Sequence, residues 1–303
     1  MTRIDFKAYA LPLKTTYRYS KGVYHQRCGL LVRAEIDGHI GWGEAAPAPC
    51  VPVDGPAYAH QAETLINGLD IADDQFLQKL GDRKPKSSLR CGISTAWLSA
   101  SASARGMSLN RFIYTGKREP AETIPVNGLV VDDTIEGALE QARHYIDTGM
   151  KTIKIKCFTD FERDLARVGA IRRAFPDAAL RLDPNEAWTE AVALNYLEKM
   201  SRFNIEYIED ALPPDRSMET FAELRSKSPI KLAWDEPAQS IKAIRNLIDA
   251  DAVDVLILKL YRTGGPDRLF DMIRLSEQHG IQCTVTSSLD TAIGTTAALH
   301  CAS

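Results

Sequence analysis

Five ionic residues recur at a nearly constant interval in the second half of the chain. Lys156, Asp183, Glu209, Asp235 and Lys259 follow one another at 27, 26, 26 and 24 residues. Each stands at or beside the end of a short apolar run: "TIKIK", "LRLD", "IEYIE", "LAWD" and "VLILK". Three carboxylates brought together would repel one another and raise each other's pKa, a conflict that a bound divalent cation removes. All-oxygen ligands with room for water suit Mg2+. A substrate held on that ion between the two lysines would have an amine near each face, as is needed to move a proton to and from carbon.

Each residue alone has a plainer reading. Asp183, followed by Pro184 and Asn185, could cap a turn. Glu209 and Asp210 could be the solvated end of a loop, and either acid of "WDEP" could sit at a helix N-terminus. Lys259 is harder to dismiss, because it interrupts an otherwise apolar strand where an unpaired charge is costly. The common interval favours one shared site over five coincidences.

That interval is the length of one strand plus one helix. "TIKIKC" reads as a strand, with Ile153, Ile155 and Cys157 on one face and Lys154 and Lys156 on the other. Lysines on one face also fit a sheet with that face in water. From residue 120 onward, short apolar strands ("TIPVNGLVV", "TIKIKC", "LRLDPN", "IEYIED", "IKLAWDE", "VDVLILKL", "CTVTSS") alternate with helical segments. The helical segments include Phe161 to Ala174, Ala187 to Arg202 and Met218 to Lys227. Such alternation predicts a parallel sheet covered by helices, closed as a (β/α) barrel, and the C-terminal ends of barrel strands are where active sites are built. No GxGxxG follows any strand, which argues against a nucleotide-binding sheet. Residues 1–119 read differently. "GLLVRAEIDGHIGWGEAAP" predicts a hairpin turning at Asp37 to His39, and helices follow near Ala57 to Leu69 and Ser88 to Ala104. "TGKREP", Thr115 to Pro120, is the predicted linker to the barrel at 120–303.

Composition narrows the partners. The chain has 303 residues, enough for a large core, with 45% hydrophobic and 25% charged residues, as in soluble globular proteins. A formal net charge of −3 gives no basic field for nucleic acid or an anionic membrane, so a small molecule is the expected partner. No apolar run has bilayer length, and the N-terminus has no signal-peptide core. Six scattered cysteines without a CxxC pair fit free thiols in a reducing cytoplasm. Six histidines form no HExxH and no i,i+4 pair, which leaves oxygen ligands for any metal.

The strand-end runs resemble the motifs of the enolase superfamily, and within it the muconate-lactonizing subgroup. "KIK" resembles the K-x-K of the second barrel strand, "RLDPNEAW" the third-strand motif, "YIED" the fourth, "AWDE" the fifth and "LKLYRTGG" the sixth. The resemblance runs from about Thr123 to the C-terminus and more loosely through the N-terminal region. It implies a (β/α)7β-type modified TIM barrel with an N-terminal α+β capping domain. The "YRYSKGVYHQR" loop of that domain, Tyr17 to Arg27, would close over the substrate. It further implies Lys156 and Lys259 as acid/base lysines, Asp183, Glu209 and Asp235 as Mg2+ ligands, and Lys154 and Asn185 as substrate contacts. A lysine would take the proton α to a carboxylate while Mg2+ stabilises the resulting charge.

Elimination of water, cycloisomerisation and 1,1-proton transfer all share that first half. "VTSSLDTAIGTTAALH", Val285 to His300, is most similar to o-succinylbenzoate synthases, with Ser287 or Ser288 expected on the substrate's succinyl carboxylate. An ST-turn would explain those serines equally well. The D-x-D pair that holds the substrate amino group in dipeptide epimerases is not found at this position. The leading expectation is therefore syn-dehydration of a cyclohexadiene carboxylate to o-succinylbenzoate, a step of menaquinone synthesis. Dipeptide or N-acylamino-acid epimerisation and muconate-type cycloisomerisation are the alternatives inside the family, and a non-catalytic binding barrel the one outside it. Two departures stand out. Ala211 replaces the proline usual two residues after the fourth-strand glutamate, which makes Asp210 a conceivable substitute ligand. The chain also ends at "HCAS", where the family barrel is expected to need one further strand and a C-terminal segment.

Overall fold

In the computed structural model the described residues are 2–19, 22–114, 119–158 and 160–303. Most of the predicted linker, 115–118, lies outside them. The chain forms two compact units. One comprises Met1–Thr123, Leu258–Leu275 and Thr284–Ser303, and the other Ile124–Ile257 and Ser276–Cys283.

The first unit opens with an antiparallel sheet of β1 (Arg3–Tyr19), β2 (Gly22–Ile36) and β3 (His39–Ala45), in that order. Asp37 and Gly38 turn β2 into β3 with φ of +50° and +83°, the positive pair that a two-residue hairpin turn requires. Of the segment Tyr17–Arg27, expected as a loop, residues 17–19 and 22–27 form strand instead. After a register shift between Pro12 and Tyr17, Tyr17 pairs with Tyr24, Arg18 with Val23 and Tyr19 with Gly22. Ser20 and Lys21 lie outside the described residues.

Alternate residues of β2, Leu30, Val32, Ala34 and Ile36, are buried in a core with Phe76, Leu80, Leu89, Ile93 and Trp97. The helix Ser87–Ala104 reaches β3 closely because Gly92, Ala96 and Ala100 recur every fourth residue on one face. A Cβ on Gly43 would lie 2.0 Å from the Gly92 carbonyl oxygen, and one on Gly41 2.2 Å from the Ala96 carbonyl oxygen and the Ala100 nitrogen. The helix predicted over Ala57 to Leu69 runs Gly55–Ile66, started by the Asp54 carboxylate accepting from the Ala57 amide. The late segments of this unit are fastened by buried polar groups. Glu44 accepts hydrogen bonds from the Thr291 amide (2.9 Å), the Thr291 hydroxyl (2.5 Å) and the Gly294 amide (3.1 Å), capping the helix Ala292–Ala302. Arg90 makes a two-pronged contact with Asp267 at 2.9 and 2.7 Å.

The seven strands of the second sheet are β4 (Asn127–Val130), β5 (Thr152–Lys156), β6 (Ala179–Asp183), β7 (Ile205–Glu209), β8 (Leu232–Trp234), β9 (Val255–Lys259) and β10 (Gln282–Thr286). They lie side by side in chain order, with parallel pairing from β4 through β9. The sheet is thus the seven-strand parallel half-barrel of a (β/α) fold, and β4 and β10 are its end strands. Every expected strand is present. Helices Ile135–Asp147, Phe161–Ala174, Glu190–Met200, Met218–Lys227 and Ile241–Asp249 make the crossovers. The third starts at Glu190 rather than Ala187 because Thr189 caps it through the Val192 amide. Ile153 and Ile155 are fully buried, while Lys154 and Lys156 take the other face, across from Arg181 and Asp183 on β6. Among the described residues no helix is long and apolar enough to cross a membrane, and all six cysteines are free thiols.

Candidate active site

The parallel register sets Lys156 beside Asp183 at the C-terminal ends of β5 and β6. The Lys156 ammonium donates to Asp183 Oδ2 and to Asn185 Oδ1, both at 2.6 Å. Lys154, two residues earlier on the same face, reaches Asp183 Oδ2 at 2.8 Å and Glu209 Oε2 at 2.6 Å. Asp183 does cap a turn, as its plainer reading anticipates, because its Oδ1 accepts from the Asn185 amide at 2.9 Å. Left-handed backbone at Asn185 (φ +50°) and Glu186 (φ +67°) then brings the Glu186 amide to the Asp210 carbonyl, at 2.8 Å.

Four carboxylates in this unit are buried at the strand ends: Asp183, Glu209, Asp210 and Asp235. The three whose oxygens converge within 4.8 Å are Glu209, Asp210 and Asp235. Asp183 is engaged by the two lysines instead. Asp210 joins the group because its φ of +45° breaks the strand alternation that would otherwise turn it away from Glu209. Its Oδ1 accepts from the Asp235 amide at 2.9 Å and the Glu236 amide at 3.3 Å, which fastens the turn after β8. The sequence signal for Asp210 is the Glu-Asp pair closing an apolar strand.

The electrostatics follow from burial and neighbours. Burial pushes the Asp210 carboxyl well above the usual carboxylate range, and the charges of Asp235, Glu209 and Asp183 add to it. Glu209 is raised chiefly by burial, with Lys154 opposing and Asp183 and Asp235 reinforcing. Burial also disfavours ionised Asp183, but the Lys154 and Lys156 ammonium groups outweigh it and hold that carboxyl below its ordinary value. Lys154 is largely shielded from water, which opposes its charge, yet Asp183 and Glu209 outweigh that and hold it protonated. Four carboxylates against two ammonium groups leave an excess of negative charge that a hard divalent cation would cancel. An all-oxygen donor set suits such an ion.

Lys259 closes β9 and begins the short helix Leu260–Thr263 in the other compact unit. Ser287 and Ser288 follow β10 in that unit too. There Ser288 donates its amide to Asp290 Oδ2 at 3.2 Å, and Leu289 has a φ of +59°.

Comparison with known proteins agrees with this architecture. Residues 137–303 match the family model described as enolase C-terminal domain-like. The chain is 29% identical over 314 residues to the N-succinyl-L-Arg/Lys racemase of Bacillus cereus, covering 100% of this chain and 84% of that protein. It is 32% identical over 177 residues to the o-succinylbenzoate synthase of Thermobifida fusca, covering 57% of this chain and 53% of that protein. Among solved structures, the dipeptide epimerase of Enterococcus faecalis V583, complexed with Mg and L-Leu-L-Tyr, superposes with a TM-score of 0.87 at 24% identity, over 98% of this chain and 85% of that one. The chain belongs to the enolase C-terminal domain-like family and is an enzyme of the enolase superfamily.

Proposed function

We propose that the protein is a Mg2+-dependent racemase or epimerase that inverts the carbon beside the carboxylate of a small N-acylated amino acid or dipeptide. The observation that carries this reading is Lys156, its ammonium held by Asp183 and Asn185 beside a buried acid cluster. Inversion is preferred to the dehydration expected from the Ser287–Ser288 motif because, over nearly the whole chain, identity is 29% to a racemase against 26% to an o-succinylbenzoate synthase of Thermosynechococcus vestitus. Glu209 and Asp235 would hold the ion; the strand-end motif names Asp183 as the third ligand, whereas Asp183 carries both lysines and it is Asp210 whose oxygens converge with theirs. When bound, Mg2+ supplies positive charge to the substrate carboxylate and so eases removal of a very weakly acidic α-proton.

Lys156, in its neutral form, takes that proton: the C–H bond breaks and an N–H bond forms. Lys259, assigned from its place at the end of β9, returns a proton to the opposite face of the same carbon, and the reverse turnover exchanges the two roles. Lys154 stays cationic and neutralises Asp183 and Glu209.

The test is incubation with N-succinyl-L-arginine, N-succinyl-L-lysine and a dipeptide panel in D2O with Mg2+. Mass spectrometry should find deuterium at the α-carbon, polarimetry should show rotation decaying, and chelation should stop both. Dehydration of the cyclohexadiene carboxylate without α-exchange on the amino-acid substrates would reject this reading. That outcome would support the second one, o-succinylbenzoate synthesis, which the local 32% identity favours.

A further inference from the structure

Behind Lys156 lies a group of ionic residues to which the proposed chemistry gives no part. Asp164 and Arg167, one turn apart on the helix Phe161–Ala174, form an ion pair of 2.6 Å in which both side chains are 0% exposed. A pair so completely desolvated contributes little net stability, and apolar residues of similar volume would often do as well. Its hydrogen bonds point to another role. Arg167 donates to the Lys156 carbonyl oxygen at 2.6 Å and to the Asp132 carbonyl oxygen, beyond the end of β4, at 2.5 Å. Asp164 accepts from the Phe158 amide at 2.8 Å and from the Tyr196 hydroxyl at 3.2 Å. One ion pair therefore grips the backbone on both sides of Cys157, immediately after the lysine.

The same pair reaches the second support of Lys156. The Tyr196 ring stacks on Trp188 with centroids 4.0 Å apart, and Trp188 lies in the segment between β6 and the helix Glu190–Met200. That segment also carries Asn185, whose side-chain oxygen receives a hydrogen bond from the Lys156 ammonium. The backbone that bears Lys156 and the turn that orients its nitrogen are thus anchored on one buried assembly.

We infer that Asp164, Arg167 and Tyr196 are positioning residues that fix the Lys156 ammonium against Asp183 and Asn185. The catalytic consequence rests on Lys156 being the acid/base proposed above. A misplacement of about 1 Å at a reacting group can cost about a hundredfold in rate, so a small sag of this backbone would register in turnover.

Two variants of the full-length protein test the inference. Arg167→Lys keeps a charge beside Asp164 but loses the planar fork that spans two carbonyl groups. Tyr196→Phe removes one hydroxyl and keeps the stacked ring. Arg167→Lys is expected to lower kcat about tenfold to a hundredfold with KM within about twofold, and Tyr196→Phe to lower kcat about fivefold. A second readout needs no substrate: acetylation of Lys156 by acetic anhydride at one fixed pH, followed by mass spectrometry with exposed Lys199 as internal standard. A positioning role changes the Lys156 labelling rate in both variants and leaves Lys199 alone. Folded variants with wild-type kcat and wild-type labelling would overturn the inference, even if their melting temperature fell. Should Arg167→Lys fail to fold, Tyr196→Phe decides by the same two measurements. Should the wild type exchange no α-proton on any substrate, the functional proposal falls while the labelling still decides this one.

Discussion

The contact between β3 and the helix Ser87–Ala104 and the strand ends of β5 to β8 are both tightly closed, by opposite means. In the first, side chains are absent: Gly41, Gly43 and Gly92 let backbone meet backbone. In the second, Lys154, Lys156, Asp183, Glu209, Asp210 and Asp235 crowd together behind strands whose other face is isoleucine and leucine. The first arrangement contributes dispersion and apolar burial. The second works against burial, since desolvation disfavours every ionised group in it. The cost of desolvating such a cluster is the reason the chemistry proposed above is sought there.

Substitutions should separate the two regions by what they damage. The largest effect is expected from Lys156→Ala. α-Proton exchange should fall about 10²- to 10⁴-fold, with the urea midpoint near that of the wild type. Activity within tenfold of wild type would remove Lys156 from the acid/base role. Next comes Gly43→Val, whose Cβ meets the Gly92 oxygen and, at 2.8 Å, the Ala96 nitrogen. It should cost about 3 kcal/mol in denaturant unfolding while folded molecules keep their turnover. A much smaller loss would mean that sheet and helix can slide apart.

A subtler contrast comes from Asp210→Asn. Because burial and neighbouring acids raise the folded-state pKa of Asp210, the folded chain holds that proton more tightly than the unfolded one. Its ionisation therefore removes stability as pH climbs from the ordinary carboxylate value through the folded one. The metal-free Asn variant should be more stable than wild type at neutral pH, with the gain fading toward about pH 4. A variant less stable at neutral pH would show that the hydrogen bonds to Asp235 and Glu236 outweigh the charge. Asp183 has the opposite sign: its pKa is lowered, so its contribution is present above the ordinary value and disappears on acidification. The smallest effect should come from the helix caps. Asp54→Ala in one region and Thr189→Ala in the other should each cost about 1 kcal/mol, as measured by thermal melting, because a solvent-exposed cap is indifferent to what lies beneath it.

Much of this was legible in the sequence for identifiable reasons. Period-two alternation exposes β5, and the strand-end interval marks Lys156, Asp183, Glu209, Asp235 and Lys259 without knowledge of the fold. "DG" at Asp37–Gly38 marks the hairpin. Other features belong to tertiary structure. Strand parity sends Glu209 and Asp210 to opposite faces, and only the left-handed turn at Asp210 reverses that. Asp164 and Arg167 are spaced i,i+3 on a helix with nothing in that spacing to mark them as buried, and their complete burial depends on what packs over the helix. The end of the reaction is hidden for a chemical reason. Taking a proton from beside a carboxylate is common to dehydration and inversion, so the strand-end motifs serve both equally, and the preference for inversion rests on the higher whole-chain identity to a racemase, 29% against 26% to an o-succinylbenzoate synthase.

Glu44 has a consequence for how the molecule is made. Its carboxylate accepts from the nearby Tyr9 hydroxyl on β1, but its other donors, at Thr291 and Gly294, come as much as 250 residues later in the chain. At typical elongation rates that is a wait on the order of ten seconds or more. Until then the nascent sheet holds an acid whose one ready partner is a phenol, so this sheet is completed only after the Thr291–Gly294 segment has been made.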